Sequence, residues 1–199
     1  MNKAVFLDRD GTVNEEVHYL SDSKDLKLLP RVAEAIKMFN DAEYKVIIIT
    51  NQSAIAKGFL TIEKLNEIHE KLLTLLNKKG AKIDAIYYCP HHPNEGCMCR
   101  KPKPGLLLKA SKEHNIDLNR SYMVGDKLTD IEAGKRAGCK TILVKTGYGK
   151  EEIIKINTDN CPDFITDNLY EAAKIIISDR MVLKFFRRKC CQRCLTLQN

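Results

Sequence analysis

The sequence of 199 residues has no tryptophan, no apolar run long enough to cross a bilayer, no internal repeat and no low-complexity segment. A spanning helix needs about 20 apolar residues, so no membrane span is expected. With 7% aromatic residues and no aromatic platform, stacking on nucleic-acid bases is poorly served, and no nucleic-acid partner is expected. The first strand begins by Lys3–Val5, which leaves no room for a signal peptide and points to the cytoplasm. There the eight cysteines are expected to be reduced or metal-bound rather than paired as disulfides. Acidic residues are missing altogether from Arg180 to Asn199, where six basic ones stand. Removing that +6 from the formal net charge of +7 leaves +1 over 1–179, so the basicity belongs to a tail and the body is nearly neutral.

What is present suits one folded domain. Hydrophobic residues make up 44% and charged residues 30%, a balance that is neither disordered nor membranous. The expected organisation is a domain over 1–178, with a basic Cys-containing tail over 179–199, and a monomer. Val5-Phe6-Leu7 reads as a short buried strand that runs into Asp8-Arg9-Asp10-Gly11-Thr12. Two carboxylates one residue apart at a strand end are costly unless a cation or a chemical task holds them. Asp8 can act as a nucleophile towards a phosphoryl group. Asp10 can protonate the leaving oxygen and later activate water. A polar loop, Asn14 to Lys27, follows with His18 and Tyr19. Such long connections often carry substrate contacts.

Pro30 precedes a helix with Val32, Ala35, Ile36 and Phe39 at helical spacing. Val46 to Ile49 has the unalternating apolar pattern of a parallel strand covered on both faces. It ends in Thr50-Asn51-Gln52-Ser53, hydroxyls and amides able to hold phosphate oxygens. Thr61 is the expected N-cap of a helix with Ile62, Leu65, Ile68, Leu72, Leu73, Leu75 and Leu76 on its apolar side, closed by Gly80. His69 within it reads as a packing or surface residue rather than a ligand. Ile83 to Tyr88 is the next strand. Three Cys and two His then crowd into residues 89–99, the composition of a structural zinc site. Cys89, His91, Cys97 and Cys99 make two ligand pairs, although spacing alone leaves His91 and His92 open. Arg100-Lys101-Pro102-Lys103-Pro104 follows as a stiff cationic clamp suited to phosphate, its lysine able to neutralise transition-state charge. Pro104 is expected in the first turn of the next helix. Tyr122 to Val124 is a strand that ends at Gly125-Asp126, with Asp130 close behind. A hard divalent cation would explain both acids, and capping of the following helix is the alternative for Asp130. That helix, Ile131 to Ala137, stops at Gly138. Thr141 to Val144 and Phe164-Ile165 are strands, and Asn168 to Ile177 is the last helix.

Alternation of strand and helix predicts a three-layer α/β/α, Rossmann-like fold with a mostly parallel central sheet. All candidate chemistry falls after strands, on one edge, and the set suits phosphoryl transfer to water. The constellation resembles the haloacid dehalogenase superfamily. Within it the closer match is the D-glycero-D-manno-heptose 1,7-bisphosphate 7-phosphatase family. The motifs that carry the likeness are Asp8-Arg9-Asp10-Gly11-Thr12-Val13-Asn14, Thr50-Asn51-Gln52-Ser53, Cys89-Pro90-His91-His92-Pro93, Cys97-Met98-Cys99-Arg100-Lys101-Pro102 and Tyr122 to Lys127. The resemblance implies a haloacid-dehalogenase fold without a large cap domain. It implies Asp8 as nucleophile, Asp10 as general acid/base, and Thr50 and Lys101 as phosphoryl-stabilising groups. Mg²⁺ would lie on Asp8, the Asp10 backbone carbonyl and Asp126, and zinc on Cys89, His91, Cys97 and Cys99. Arg9, Glu16, Val17, His18, Tyr19, Asn51, Gln52, Ser53, Arg100 and Lys127 would contact a small sugar bisphosphate. The product would feed nucleotide-activated heptose for lipopolysaccharide or another surface polysaccharide. Two departures stand out: the loop after Cys-Pro-His-His-Pro is short, and Ala54 replaces a frequent Gly.

Two other readings compete. Histidinol-phosphate phosphatases resemble this family in their catalytic motifs and zinc loop, but Arg100-Lys101 and the Glu16–Tyr19 loop favour a substrate with a second phosphate. A zinc-organised binding module acting through its basic tail would leave Asp10, Lys101 and Asp126 without a purpose.

Overall fold

The computed structural model describes residues 1–178, and the tail expected over 179–199 lies outside the described residues. Six strands form one sheet: β1 (Ala4–Leu7), β2 (Lys45–Asn51), β3 (Ala85–Cys89), β4 (Tyr122–Gly125), β5 (Lys140–Val144) and β6 (Phe164–Thr166). Their order is β3-β2-β1-β4-β5-β6, and every neighbouring pair is parallel. Parallel neighbours need crossovers, supplied by α1 (Val32–Asp41), α2 (Ile62–Asn77), α3 (Gly105–His114), α4 (Leu128–Ala137) and α5 (Gly149–Glu152), with α6 (Leu169–Ser178) closing the described chain.

Alternate strand residues sort the helices into two layers. Val5, Leu7, Val46, Ile48 and Val124 pack with α1, α2 and α6 through Ile36, Phe39, Leu65, Ile68 and Ala173. Phe6, Ile47, Ile49 and Met123 face the other way, against Leu106, Leu107 and Ala110 of α3 and Ala133 of α4. The four central strands are therefore buried on both faces, as their apolar runs require, and the edge strands β3 and β6 are partly buried. The central strand β1 has β2 on one side and β4 on the other, and the winding reverses between them. Ligands of such sheets bind beyond the strand ends at that reversal.

Most expected elements are present with shifted ends. Thr61 caps α2 as expected, its hydroxyl accepting from Lys64 N–H at 3.3 Å. Ile62, expected on the apolar side of α2, is instead 48% exposed, because the core-facing turn begins at Leu65. Pro104 stands just outside α3 as its N-cap rather than in its first turn. The loop after β1 contains a 3-10 turn, Ser23–Asp25, capped by Asp22. Among the described residues no separate cap domain stands over the strand ends.

Candidate active site and metal-binding loop

A cavity of about 550 Å³ opens over the carboxyl ends of β1, β2 and β4. Asp8 follows β1 directly, and its backbone N–H donates to Val124 O at 2.9 Å, so its position is set by the sheet. At the cavity floor Lys101 is 3% exposed. Its Nζ reaches Asp8 Oδ1 at 2.8 Å, Asp130 Oδ1 at 2.6 Å and the Ile49 carbonyl at 2.7 Å. An ammonium has three N–H bonds, and here three acceptors surround it. Burial alone would favour the neutral amine, but Asp130 and Asp8 hold Lys101 above its ordinary value and keep it charged.

Asn51 fixes this lysine from the backbone side. Its amide donates to Lys101 O at 3.2 Å and accepts from Lys101 N–H at 3.1 Å. The Lys101–Pro102 peptide is cis. Asn51 lines the cavity as expected, yet its amide is engaged with the main chain. Gln52 is engaged likewise, donating to Asp10 Oδ2 at 3.0 Å and Thr50 Oγ1 at 2.9 Å. Because the Thr50 oxygen accepts that bond, its own hydrogen is left to point elsewhere.

Asp10 is gripped from several sides. Arg9 donates from Nε to Oδ1 at 3.0 Å and from Nη2 to Oδ2 at 2.8 Å, and Asn14 adds a bond to Oδ1 at 2.9 Å. Burial raises the Asp10 pKa, but the Arg9 charge and these hydrogen bonds outweigh it and leave it lowered. Arg9 had been expected among the substrate contacts. It is wholly buried, is not among the cavity-lining residues, and spends its guanidinium on Asp10 and on His69 at 3.2 Å. Val17, also expected to touch substrate, is 38% exposed and does not line the cavity.

Asp8, Asp126 and Asp130 bring carboxylate oxygens within 4.8 Å of one another. Asp126 accepts from Tyr148 N–H at 2.8 Å through Oδ2, while its buried Oδ1 has no partner. Burial, with the neighbouring charges of Asp8 and Asp130, pushes Asp126 up to about 8. Burial likewise raises Asp130 to about 6 against the pull of Lys101. An unpartnered carboxylate oxygen inside an all-oxygen acidic cluster fits a hard cation such as Mg²⁺. Asp130 also caps α4, accepting from Lys127 N–H at 3.0 Å, so the capping alternative holds beside the ion pair.

Glu16, His18, Tyr19, Ser53, Arg100 and Lys127 also line the cavity. Lys127 Nζ donates to Glu16 Oε2 at 3.2 Å and lies 4.4 Å from the centre of the Tyr148 ring. Asp126, Glu16 and Asp8 keep Lys127 charged despite its burial. Tyr19 packs its ring 4.4 Å from His18 and 5.3 Å from Phe59, centre to centre. Lys57 donates to the Tyr19 hydroxyl at 2.6 Å. Arg100 borders the cavity with its buried Nη1 unpartnered.

At the end of β3 the second cluster gathers. His91 Nδ1 lies 3.1 Å from Cys99 Sγ and 3.5 Å from Cys89 Sγ, and the three sulfurs are 3.2–3.6 Å apart. A tetrahedral zinc with bonds of about 2.0–2.3 Å sets ligand atoms roughly 3.4–3.8 Å apart, close to these separations. The donor set therefore fits zinc. His92 lies outside it. Its Nδ1 accepts from Asn94 N–H at 3.3 Å, and its own N–H donates to Glu95 at 2.5 Å. Lys103 donates to the Gly96 carbonyl and ties the loop to the segment after it.

Several contributors had no sequence signal of their own. Thr129, Tyr148 and Glu152 line the cavity, and Glu152 accepts from Leu128 N–H at 2.9 Å at the start of α4. Gly147, between β5 and α5, has φ +52°, and a Cβ there would fall 2.2 Å from Asp126 Oδ2. The two glycines around Tyr148, just past a strand, were the available hint.

A HAD-hydrolase-like family model matches residues 98–172. The D-glycero-D-manno-heptose-1,7-bisphosphate 7-phosphatase of Thermosynechococcus vestitus is 40% identical over 186 residues, covering 87% of this chain and 94% of its own. The D-glycero-beta-D-manno-heptose-1,7-bisphosphate 7-phosphatase of Pasteurella multocida is 44% identical over 154 residues, covering 74% and 84%. The crystal structure of D,D-heptose 1,7-bisphosphate phosphatase from B. bronchiseptica, complexed with magnesium and phosphate, matches with a TM-score of 0.83 at 33% identity, covering 89% of this chain and 99% of that one. Similarity at this level, across nearly the whole of these proteins, means that the chain belongs to the D-glycero-D-manno-heptose-1,7-bisphosphate 7-phosphatase family of HAD-like hydrolases.

Proposed function

We propose that this chain, working as a cytoplasmic monomer, removes the C7 phosphate from D-glycero-D-manno-heptose 1,7-bisphosphate through an aspartyl-phosphate intermediate. The observation that carries this reading is the buried Lys101 bridge, which holds Asp8 at the cavity floor with an ammonium beside it. An Asp8 oxygen attacks phosphorus as the bond to the sugar O7 breaks, and O7 takes a proton from Asp10. Water then gives a proton to Asp10 and attacks phosphorus, the bond to Asp8 breaks, and the Asp8 carboxylate returns.

Asp10 must pass between two protonation states to do this. Its hydrogen bonds favour the anion that serves the second step. The negative charge of an incoming phosphate favours the protonated form that serves the first. Thr50 donates its hydroxyl hydrogen, and Lys101 its charge, to the phosphoryl oxygens. Mg²⁺ would be held by Asp8, Asp126 and the Asp10 carbonyl and would supply positive charge that offsets the charge of the reacting phosphate.

Arg100, with an unpartnered buried nitrogen at the cavity, suits the second phosphate. Glu16, His18, Ser53 and Lys127 offer polar contacts to the sugar hydroxyls. The 1-phosphate left on the product is the group that later nucleotide activation needs. Cys89, His91, Cys97 and Cys99 would hold zinc in an architectural part: four protein ligands would leave it no open position, and the closed site would anchor the loop that delivers Arg100 and Lys101.

The test is kcat/KM for phosphate release in Mg²⁺, comparing heptose 1,7-bisphosphate with histidinol phosphate. A preference of about a hundredfold for the sugar, near 2.7 kcal/mol, is expected. The reverse preference would overturn the substrate assignment. Asp8→Asn should abolish turnover in a folded protein, and retained turnover would overturn the mechanism.

A further inference from the structure

His69 sits on the inward face of α2, in line with Leu65, Ile68, Leu72 and Leu76, and is 8% exposed. Nothing in the reaction described above uses it. Its Nε2 lies 3.2 Å from Arg9 Nη1. A guanidinium carries donors only, so Nε2 must be the acceptor, the ring proton must sit on Nδ1, and the imidazole must be neutral. Burial and the Arg9 charge push His69 down to about 4, in keeping with that tautomer. The Tyr88 ring of β3, 6.0 Å away centre to centre, packs against the imidazole.

Arg9 has no exposed surface, and its Nε and Nη2 go to the two oxygens of Asp10. The guanidinium is planar, so fixing Nη1 on one edge sets the tilt of the fork that holds Asp10 on the other. Without the acceptor, Nη1 would be a buried donor with no partner, and the fork would turn to find one.

We propose that His69 is a positioning residue for phosphoryl transfer: its imidazole nitrogen locks the Arg9 fork and thereby aims the Asp10 carboxyl at the leaving oxygen. This inference rests on Asp10 being the general acid of the proposed function. Proton transfer depends on placement before it depends on acidity, so the loss should scale with how much protonation the leaving group needs.

The experiment compares wild type, His69→Leu, His69→Gln and Asp10→Asn on two substrates. Heptose 1,7-bisphosphate expels an alkoxide that needs a proton, whereas acetyl phosphate expels a carboxylate that does not. kcat/KM reports the first transfer, to Asp8. His69→Leu is expected to lose about tenfold to thirtyfold on the sugar, with KM little changed, and less than about threefold on acetyl phosphate. His69→Gln places an amide oxygen near the Nε2 position and is expected to regain most of the loss. Equal losses on both substrates, no loss on either, or a folded His69→Gln no better than His69→Leu would each overturn the inference. Asp10→Asn separates the two levels. If it too shows no dependence on the leaving group, the acid role of Asp10 falls, whereas selectivity in Asp10→Asn but not in His69→Leu removes His69 alone.

Discussion

Replacing Lys101 by Met keeps most of the length of the side chain and removes the charge that separates two buried carboxylates. The Asp130 side chain is 1% exposed and that of Asp8 9%, so both carboxylates are left largely buried once the ammonium is gone. Removing one partner of a buried ion pair costs about 3–5 kcal/mol. For a domain of this size that lowers Tm by roughly 6–20 °C in metal-free buffer. The loss has a direction in pH. Asp130, raised to about 6 with Lys101 present, rises further without it. A carboxyl whose folded pKa lies above its unfolded value binds more protons folded, so stability falls as pH rises between the two values. The defect should therefore be smaller at pH 5.5 than at pH 8, by up to ~1.4 kcal/mol per pH unit. Lys101→Met/Asp130→Asn should recover a large part of the stability at pH 8, and turnover in both variants should fall at least about a hundredfold. Thermal unfolding followed by circular dichroism at the two pH values reads all of this. A Lys101→Met protein that melts within about 2 °C of wild type at pH 8 would refute the reasoning.

Gly147→Ala puts a Cβ 2.2 Å from Asp126 Oδ2 and 2.7 Å from Gly11 Cα, so Asp126 must move. The Mg²⁺ concentration for half-maximal activity should rise about tenfold or more, near 1.4 kcal/mol, and an unchanged titration would contradict the close approach. Because burial and neighbouring carboxylates push Asp126 up to about 8, cation binding below that pH must displace its proton. Apparent Mg²⁺ affinity should climb with pH from 6 to 8 and then level, with proton release visible by calorimetry in buffers of different ionisation enthalpy. A flat profile would count against it. The purified protein should carry one zinc per chain, lost in His91→Ala and Cys97→Ser but kept in His92→Ala. A strong chelator should lower both Tm and activity, and unchanged melting of a verified zinc-free sample would remove the scaffold role.

The parts legible in the sequence are those whose signal is local. A strand ending in Asp8-x-Asp10, the run into Thr50 and the Cys/His spacing each declare themselves within a dozen residues. The four central strands follow the same logic, since a strand buried on both faces needs an unbroken apolar run, whereas the edge strands β3 and β6 are only partly buried. What stayed hidden depends on crossovers. Lys101 meets Asp130 only because α3 carries the chain from the sheet edge back past β2 and β1 to β4. Arg9 misleads for a related reason. An arginine between two acids at a strand end looks like a phosphate contact, and only the packing of α2 reveals the imidazole that receives its far edge. Gly147 and Tyr148 act through backbone approach and a main-chain N–H, which residue type does not encode.

The triple commitment of the Lys101 ammonium has a kinetic meaning. Its Nζ donates to Asp8 and to the Ile49 carbonyl and pairs in charge with Asp130, so a phosphate entering the cavity meets an ammonium that is already engaged. In the proposed reaction Asp8 spends its negative charge as it takes up the phosphoryl group, and the hydrogen bond it held loosens. That bond can then swing to the phosphoryl oxygens, where charge is gathering. On that mechanism the lysine would grip the reacting group more strongly midway through transfer than at arrival, and its contribution would fall on kcat rather than on KM.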